Sequence, residues 1–130
     1  TLQSEIFWRK VKNLEFYSGT KNNIFRIVIP SAECIKLIYE LPKQFKYFLD
    51  WGGALIWMEA CELTEQMFES IRKKVIKHNG YVSMIKNSSY LPYVEDVFTI
   101  NSTRFDISQS IKKSFDPKRI LNPGKMYLGI

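Results

Sequence analysis

The stretch "FKYFLDWGGALIWMEA", Phe45–Ala60, decides the fold. Two runs rich in aromatic and apolar residues, Phe45–Asp50 and Ala54–Ala60, flank Trp51-Gly52-Gly53. Glycine adopts positive φ without steric penalty, and tight hairpins need positive φ in their turns. The stretch is therefore read as two antiparallel strands joined by a glycine turn.

Working outward, "IFRIVIP" gives a strand over residues 24–29, stopped by Pro30. Ser31 caps a short helix with Cys34, Leu37, Ile38 and Leu41 on one stripe, ended by Pro42. After the hairpin, Thr64 caps a longer helix whose stripe is Met67, Phe68, Ile71 and Val75, and Gly80 stops it. "YVSMIK", residues 81–86, follows as a fourth strand. The order strand, helix, strand, strand, helix, strand predicts an α+β fold, a ferredoxin-like βαββαβ antiparallel sheet. Crossover handedness puts both helices on one face and leaves the other open, to be covered by a partner, a ligand or more chain.

Around this unit lie an N-terminal helix over 4–13, capped by Ser4 with Phe7 and Val11 on one face, and a polar connection over 14–23. Residues 87–102 read as a loop containing Leu91-Pro92. Residues 104–114 read as a last helix, with Ile107, Ile111 and Phe115 at i,i+4 steps. An extended tail follows. Asp116 is expected to accept backbone N–H groups where this helix ends, and Asn122-Pro123-Gly124 to make a second turn. Leu121, Met126, Tyr127 and Leu128 then need an apolar surface.

Side chains alternate along strands. Phe25, Ile27 and Ile29 form a wholly apolar set that should face the helices, which sends Arg26 to the open face of a central strand. The same alternation sends Trp57 and Glu59 there. A charge in that position is costly unless paired or bound to an anion. An internal Arg26–Glu59 ion pair would satisfy it. So would a carboxylate ligand gripped by the planar guanidinium. Trp51 and Trp57 are candidate pocket walls, with core packing as the alternative for each.

Composition narrows the rest. At 130 residues one domain is expected, and 45% hydrophobic content suffices for a modest core. The net charge of +6 is scattered, and its densest group, Arg72-Lys73-Lys74 with Lys77, reads as a solvated helix face, so no nucleic-acid partner is expected. No apolar run is long enough to span a membrane. Cys34 and Cys61 read as small buried hydrophobes, consistent with a reducing cytoplasmic compartment. His78, the single histidine, excludes a multi-histidine metal site in this chain and reads as a helix-terminal residue facing the dipole. No nucleophile elbow, Cys–His pair or phosphate-cradling glycine loop is present, so no residue is assigned a catalytic role.

"FDPKRILNPGK", Phe115–Lys125, resembles the C-terminal signature of FAD-linked oxidases of the vanillyl-alcohol oxidase type. "IFRIVIP" and "DWGGALIWM" resemble cap-domain strands within that family, most of all those of glycolate oxidase FAD-binding subunits. The resemblance spans about residues 4 to 128. It implies that the chain is a single C-terminal cap or substrate domain, residues 1–130, without the N-terminal FAD-binding domain. It implies FAD as cofactor, held mainly by that missing domain, and a small 2-hydroxy acid as substrate. The implied partners are the FAD-binding domain of the same protein and other oxidase subunits, in the cytoplasm or peripheral at the inner membrane in a complex. Arg26, Trp57 and Glu59 then become substrate- or flavin-site contacts, and Asn122 and Lys125 the interface with the flavin domain. The isolated chain is expected to be inactive. Two alternatives share the topology: an RNA-binding module of RRM type, whose basic-Gly-aromatic third strand "GGALIWMEA" lacks, and a ferredoxin-like ligand-binding or dimerisation domain.

Overall fold

A computed structural model describes residues 1–88, 98–125, 127, 128 and 130. The chain runs α1 (Leu2–Lys12), β1 (Asn23–Val28), α2 (Cys34–Glu40), β2 (Lys46–Asp50), β3 (Leu55–Ala60), α3 (Glu65–Lys77), β4 (Tyr81–Lys86) and α4 (Ser102–Phe115). The four strands form one antiparallel sheet in the order β2-β3-β1-β4. This is the expected α+β arrangement, with β1 and β3 central.

Helices α2 and α3 cover one face. Phe25 and Ile27 of β1 and Ile56 and Met58 of β3 are fully buried there against Leu37 of α2 and Ile71 and Val75 of α3. Each such side chain contributes about 1.5–3 kcal/mol of transfer free energy. Helix α3 begins as its sequence dictates, the Thr64 hydroxyl accepting from the Met67 N–H at 3.2 Å. Its end differs from expectation. The left-handed residue is Asn79 at φ 58, and Gly80 has no positive φ. Glycine is required at 80 for space instead, since a Cβ there would lie 2.9 Å from the Val28 carbonyl oxygen and 2.9 Å from Val75 Cγ1.

Other boundaries shift slightly. Thr1, not Ser4, precedes α1, and Ser31 opens a 3₁₀ turn (Ser31–Glu33) before α2. A further 3₁₀ turn, Glu15–Tyr17, lies within the polar connection. The Leu91-Pro92 loop and Met126 lie outside the described residues. The tail folds back as predicted: Asp116 accepts from the Ile120 and Leu121 N–H groups, each at 2.9 Å. Lys112 Nζ pairs with the same carboxylate at 2.8 Å, and this bond together with the two backbone donors lowers the Asp116 pKa to about 2. The Gly124 N–H donates to the Ile130 carbonyl at 2.7 Å, closing the tail on itself. Of the tail residues expected to need an apolar surface, Tyr127 finds one, its ring packing between Phe98 and Phe105, while Leu121 and Leu128 are each 64% exposed.

Candidate functional site

The second sheet face is partly roofed by the chain itself at its β2 margin, and the chain also runs along its β4 edge. Over β2, Phe16 stacks on Phe48 at 5.3 Å between ring centroids, and the Tyr17 hydroxyl donates to the Trp57 carbonyl at 3.2 Å. Burial, with Glu59 nearby, pushes the Tyr17 phenol up to about 12. Beside the outer edge of β4, Ser83 is bridged to Phe98, and the segment beyond leads into α4. The gap between these margins contains Arg26.

Arg26 faces Trp57 across β3 and Ser83 across β4 in the sheet register. It is half-buried, and its guanidinium carbon lies 5.4 Å from the centroid of the Trp51 ring. No carboxylate among the described residues pairs with it. Trp51 reaches this position through a strained turn: Trp51, Gly52 and Gly53 all have positive φ, at 53, 60 and 89. The glycines were legible as turn residues, but a tryptophan there is a steric outlier. The Asp50 carboxylate steadies the turn by accepting the Trp51 N–H at 2.8 Å, so this nearby anion serves the backbone.

The internal Arg26–Glu59 pair does not form. Glu59 accepts from the Thr20 hydroxyl and from Asn22 Nδ2, the latter at 2.9 Å, and Lys46 Nζ stands 3.8 Å away. The Thr20 hydrogen bond, followed by Asn22 and the charges of Lys46 and Lys86, holds its pKa below the usual carboxylate value against the opposing effect of burial. Glu59 thus clips the entry to β1 onto β3.

The structure adds a residue that sequence reading passed over. Arg104, in the first turn of α4, stacks over Tyr81 with its guanidinium carbon 4.6 Å from the ring centroid. It too has no carboxylate partner among the described residues. The available signal was a cation opening a helix whose first turn holds no acid, against the dipole preference. Tyr81, Ser83, Phe98, Thr99, Arg104 and Tyr127 belong to the lining of a cavity of about 410 Å³ beside β4.

Asn122 and Lys125 lie elsewhere, around a second cavity of about 410 Å³ with Lys112, Leu121, Tyr127 and Ile130. The α4 stripe lies largely in solvent: Ile107, Ile111 and Phe115 are 55%, 54% and 85% exposed. His78 also departs from expectation. It ends α3 but is buried, its Nδ1 2.7 Å from Glu33 and its Nε2 3.1 Å from Glu40. These two bonds, Glu33 first, raise its pKa above the ordinary 6.5. The ring faces opposite carboxylates, and among the described residues no group of acidic, histidine and cysteine side chains converges as a metal site.

For a flavin, the open face fits a roof. Two indoles and one guanidinium can cover a planar ring. Nothing there resembles a pyrophosphate cradle, because Gly52-Gly53 leads into a strand and not into a helix N-terminus.

The family described as FAD linked oxidases, C-terminal domain, matches residues 56–126. The chain is 26% identical over 125 residues to the glycolate oxidase subunit GlcE of Escherichia coli (strain K12), which covers 93% of this chain and 31% of that protein. The chain thus spans under a third of the length of this relative. No solved structure gives a significant match. With more than half of its length matched, from the third strand through the FDPKRILNPGK tail, the chain belongs to the family of FAD-linked oxidase C-terminal domains.

Proposed function

We infer that this chain is the cap portion of a flavin-dependent 2-hydroxy acid oxidoreductase subunit of the glycolate oxidase kind. The carrying observation is Arg26, a half-buried guanidinium in a central strand that no carboxylate of the described residues neutralises. A substrate carboxylate supplies what the protein leaves out. FAD, held mainly by the N-terminal part of the full-length protein, would supply hydride-accepting chemistry. Arg26 would orient the acid so that its C2–H bond faces the cofactor, with Trp51 and Trp57 excluding water. As the acid becomes a 2-oxo acid it gives up its C2 hydrogen as hydride and its hydroxyl proton.

The exposed α4 stripe of Ile107, Ile111 and Phe115, with Asn122 and Lys125 beside Ser108 and Lys112 of the same helix, would rest on the flavin-binding part of the same protein or on another oxidase subunit. An RNA-binding reading finds less support, because Phe48, a sheet aromatic on which a base would stack, is already covered by Phe16.

The test is anaerobic mixing of the full-length protein with short 2-hydroxy acids, following bleaching of the flavin band and the matching 2-oxo acid. Bleaching is expected, together with failure of the 130-residue chain alone to retain FAD. A flavin that stays oxidised with every 2-hydroxy acid, or tight FAD retention by the short chain, overturns the assignment.

A further inference from the structure

The two edges of the sheet are finished differently. The outer side of β4 is bridged at Ser83 to Phe98, and the pairing of β4 with β1 slips between Ile24 and Phe25. The outer side of β2 has no strand beside it among the described residues, and its pairing with β3 runs from Lys46 to Asp50 without a break. An edge strand presents unpaired backbone N–H and C=O groups, and proteins commonly blunt it with proline, a bulge or a lysine. Strand β2, "KYFLD", has neither proline nor bulge. It opens on a lysine and closes on an acid.

Those two charges make the strand complementary to itself. A two-fold axis perpendicular to the sheet at Phe48 lays a second β2 antiparallel to the first. Lys46 then faces Asp50 of the second copy, Tyr47 faces Leu49, and Phe48 faces its own copy. Directly opposed residues point to the same side of a sheet, so Lys46, Phe48 and Asp50 of both copies share the open face, while Tyr47 and Leu49 share the helix face. Sliding the second copy by two residues, the smallest step that keeps the axis and the faces, sets Lys46 or Asp50 against Phe48 and leaves the charges unmatched. Both charges are available. Lys46 extends into solvent with its Nζ 3.8 Å from Glu59. Asp50 uses Oδ1 for the Trp51 N–H and forms no ion pair among the described residues.

Apolar surface continues beyond the strand. Leu49 is exposed on the helix face. On the open face, the Phe16 ring stacked on Phe48 leads to Phe7 and Trp8, with neighbouring centroids 5.3, 6.5 and 5.4 Å apart, and Phe7, Trp8 and Phe16 remain exposed.

We propose that the outer edge of β2 is a homodimer interface, where two copies of this chain join into one continuous antiparallel sheet whose register is set by reciprocal Lys46–Asp50 ion pairs. The two aromatic clusters flank the axis, and both open faces lie on the same side of the joined sheet. The interface is independent of the hydroxy acid reading above.

The experiment uses the full-length protein. Sedimentation velocity over a concentration series should show a monomer–dimer equilibrium. Lys46→Glu sets like charges against each other at two symmetric places and should weaken dimerisation roughly tenfold. Combining it with Asp50→Lys restores both pairs in reversed order and should recover most of that loss. Lys73→Glu, the same charge change on the exposed side of α3, should leave the dimer unchanged. A second measurement needs no variant. A zero-length carbodiimide joins a lysine amine to a carboxylate it touches. Within one chain Lys46 and Asp50 lie about 13 Å apart along the extended strand, so an amide between them joins two copies. A mixture of unlabelled and isotope-labelled protein should yield that link in mixed form. A monomer at every concentration, a dimer that Lys46→Glu leaves intact, a charge reversal that recovers nothing, or a dimer without the mixed Lys46–Asp50 link each overturns the proposal, and none of these outcomes bears on flavin reduction.

Discussion

Replacing Arg26 by methionine separates what this residue does for the fold from what it does for a ligand. In the folded chain its identified polar-group contact is the stack on Trp51 at 5.4 Å, which contributes about 0.5–1 kcal/mol. No ion pair is lost, because none exists among the described residues. Methionine keeps most of the stem that packs beside Trp57 and Ser83, and near-isosteric swaps cost under about 1.5 kcal/mol. Removing a half-buried charge that lacks a counter-ion returns part of its desolvation penalty. The net change in unfolding free energy should therefore lie within about 1 kcal/mol of zero. Losing a charge-assisted bond to a substrate carboxylate costs about 1.5–3 kcal/mol, or roughly 10- to 100-fold in kcat/KM. Arg26→Lys, which keeps the charge but not the fork, should fall between. Urea unfolding of the 130-residue chain gives the first quantity, and flavin reduction in the full-length protein gives the second. A loss of more than about 2 kcal/mol in the urea experiment makes Arg26 a structural residue, and an unchanged kcat/KM removes it from the site.

Other consequences can be checked with simpler measurements. Gly80→Ala should destabilise by about 1–3 kcal/mol through the clash with Val28 and Val75, whereas Gly124→Ala, with open space at its Cβ but φ +66, should lose only about 1–2 kcal/mol locally; thermal unfolding and hydrogen exchange distinguish the two. The cluster of His78, Glu33 and Glu40 predicts a stability maximum in pH. The raised histidine pKa contributes stability that is complete below its ordinary 6.5 and disappears as pH rises through the raised value. The glutamates are lowered, Glu33 chiefly by Lys36 and Glu40 chiefly by Lys77, so their contribution is present above the ordinary 4.5 and lost on acidification. Melting temperature against pH should thus be steeper on the alkaline side in the native chain than in His78→Gln, and parallel curves would count against the clamp. Trp51→Gly should relieve a positive-φ strain of about 1–2 kcal/mol and lose about as much in ring contact and chain entropy. Its stability should be near native while 2-hydroxy acid binding weakens severalfold, and native binding would separate Trp51 from the site.

Where hydrophobic pattern decided the outcome, the sequence was sufficient. Phe25, Ile27, Ile56 and Met58 alternate on period two and Phe68, Ile71 and Val75 recur on a helical period, so their burial followed from spacing alone. Asp116 was legible because its turn partners are close in the chain. What escaped was long-range polar pairing. Glu59 meets Thr20 and Asn22, and His78 meets Glu33 and Glu40, through contacts that only the folded sheet and helix pair create. The exposed α4 stripe escaped for a different reason. Periodicity shows that Ile107, Ile111 and Phe115 form a face, and it cannot say whether that face is satisfied within this chain.

The two faces of the sheet follow different rules, and that difference is the physical case for function. On the helix side the packing preferences agree with the fold: apolar positions are buried, Thr64 caps α3, and Gly80 sits where only glycine fits. On the other side three preferences are broken. A tryptophan adopts positive φ, a central strand carries a cation with no counter-ion among the described residues, and a second such cation opens a helix against its dipole. Each departure is unfavourable by itself, of the order of 1 kcal/mol. None stabilises the other two through a salt bridge, since both arginines rest on rings. Folding alone gives no reason for them to gather on one face. A carboxylate ligand at Arg26 would give one for the strand cation and the turn beneath it, because it would pair a charge that no carboxylate of the described residues neutralises, with Trp51 of the strained turn stacked on the guanidinium.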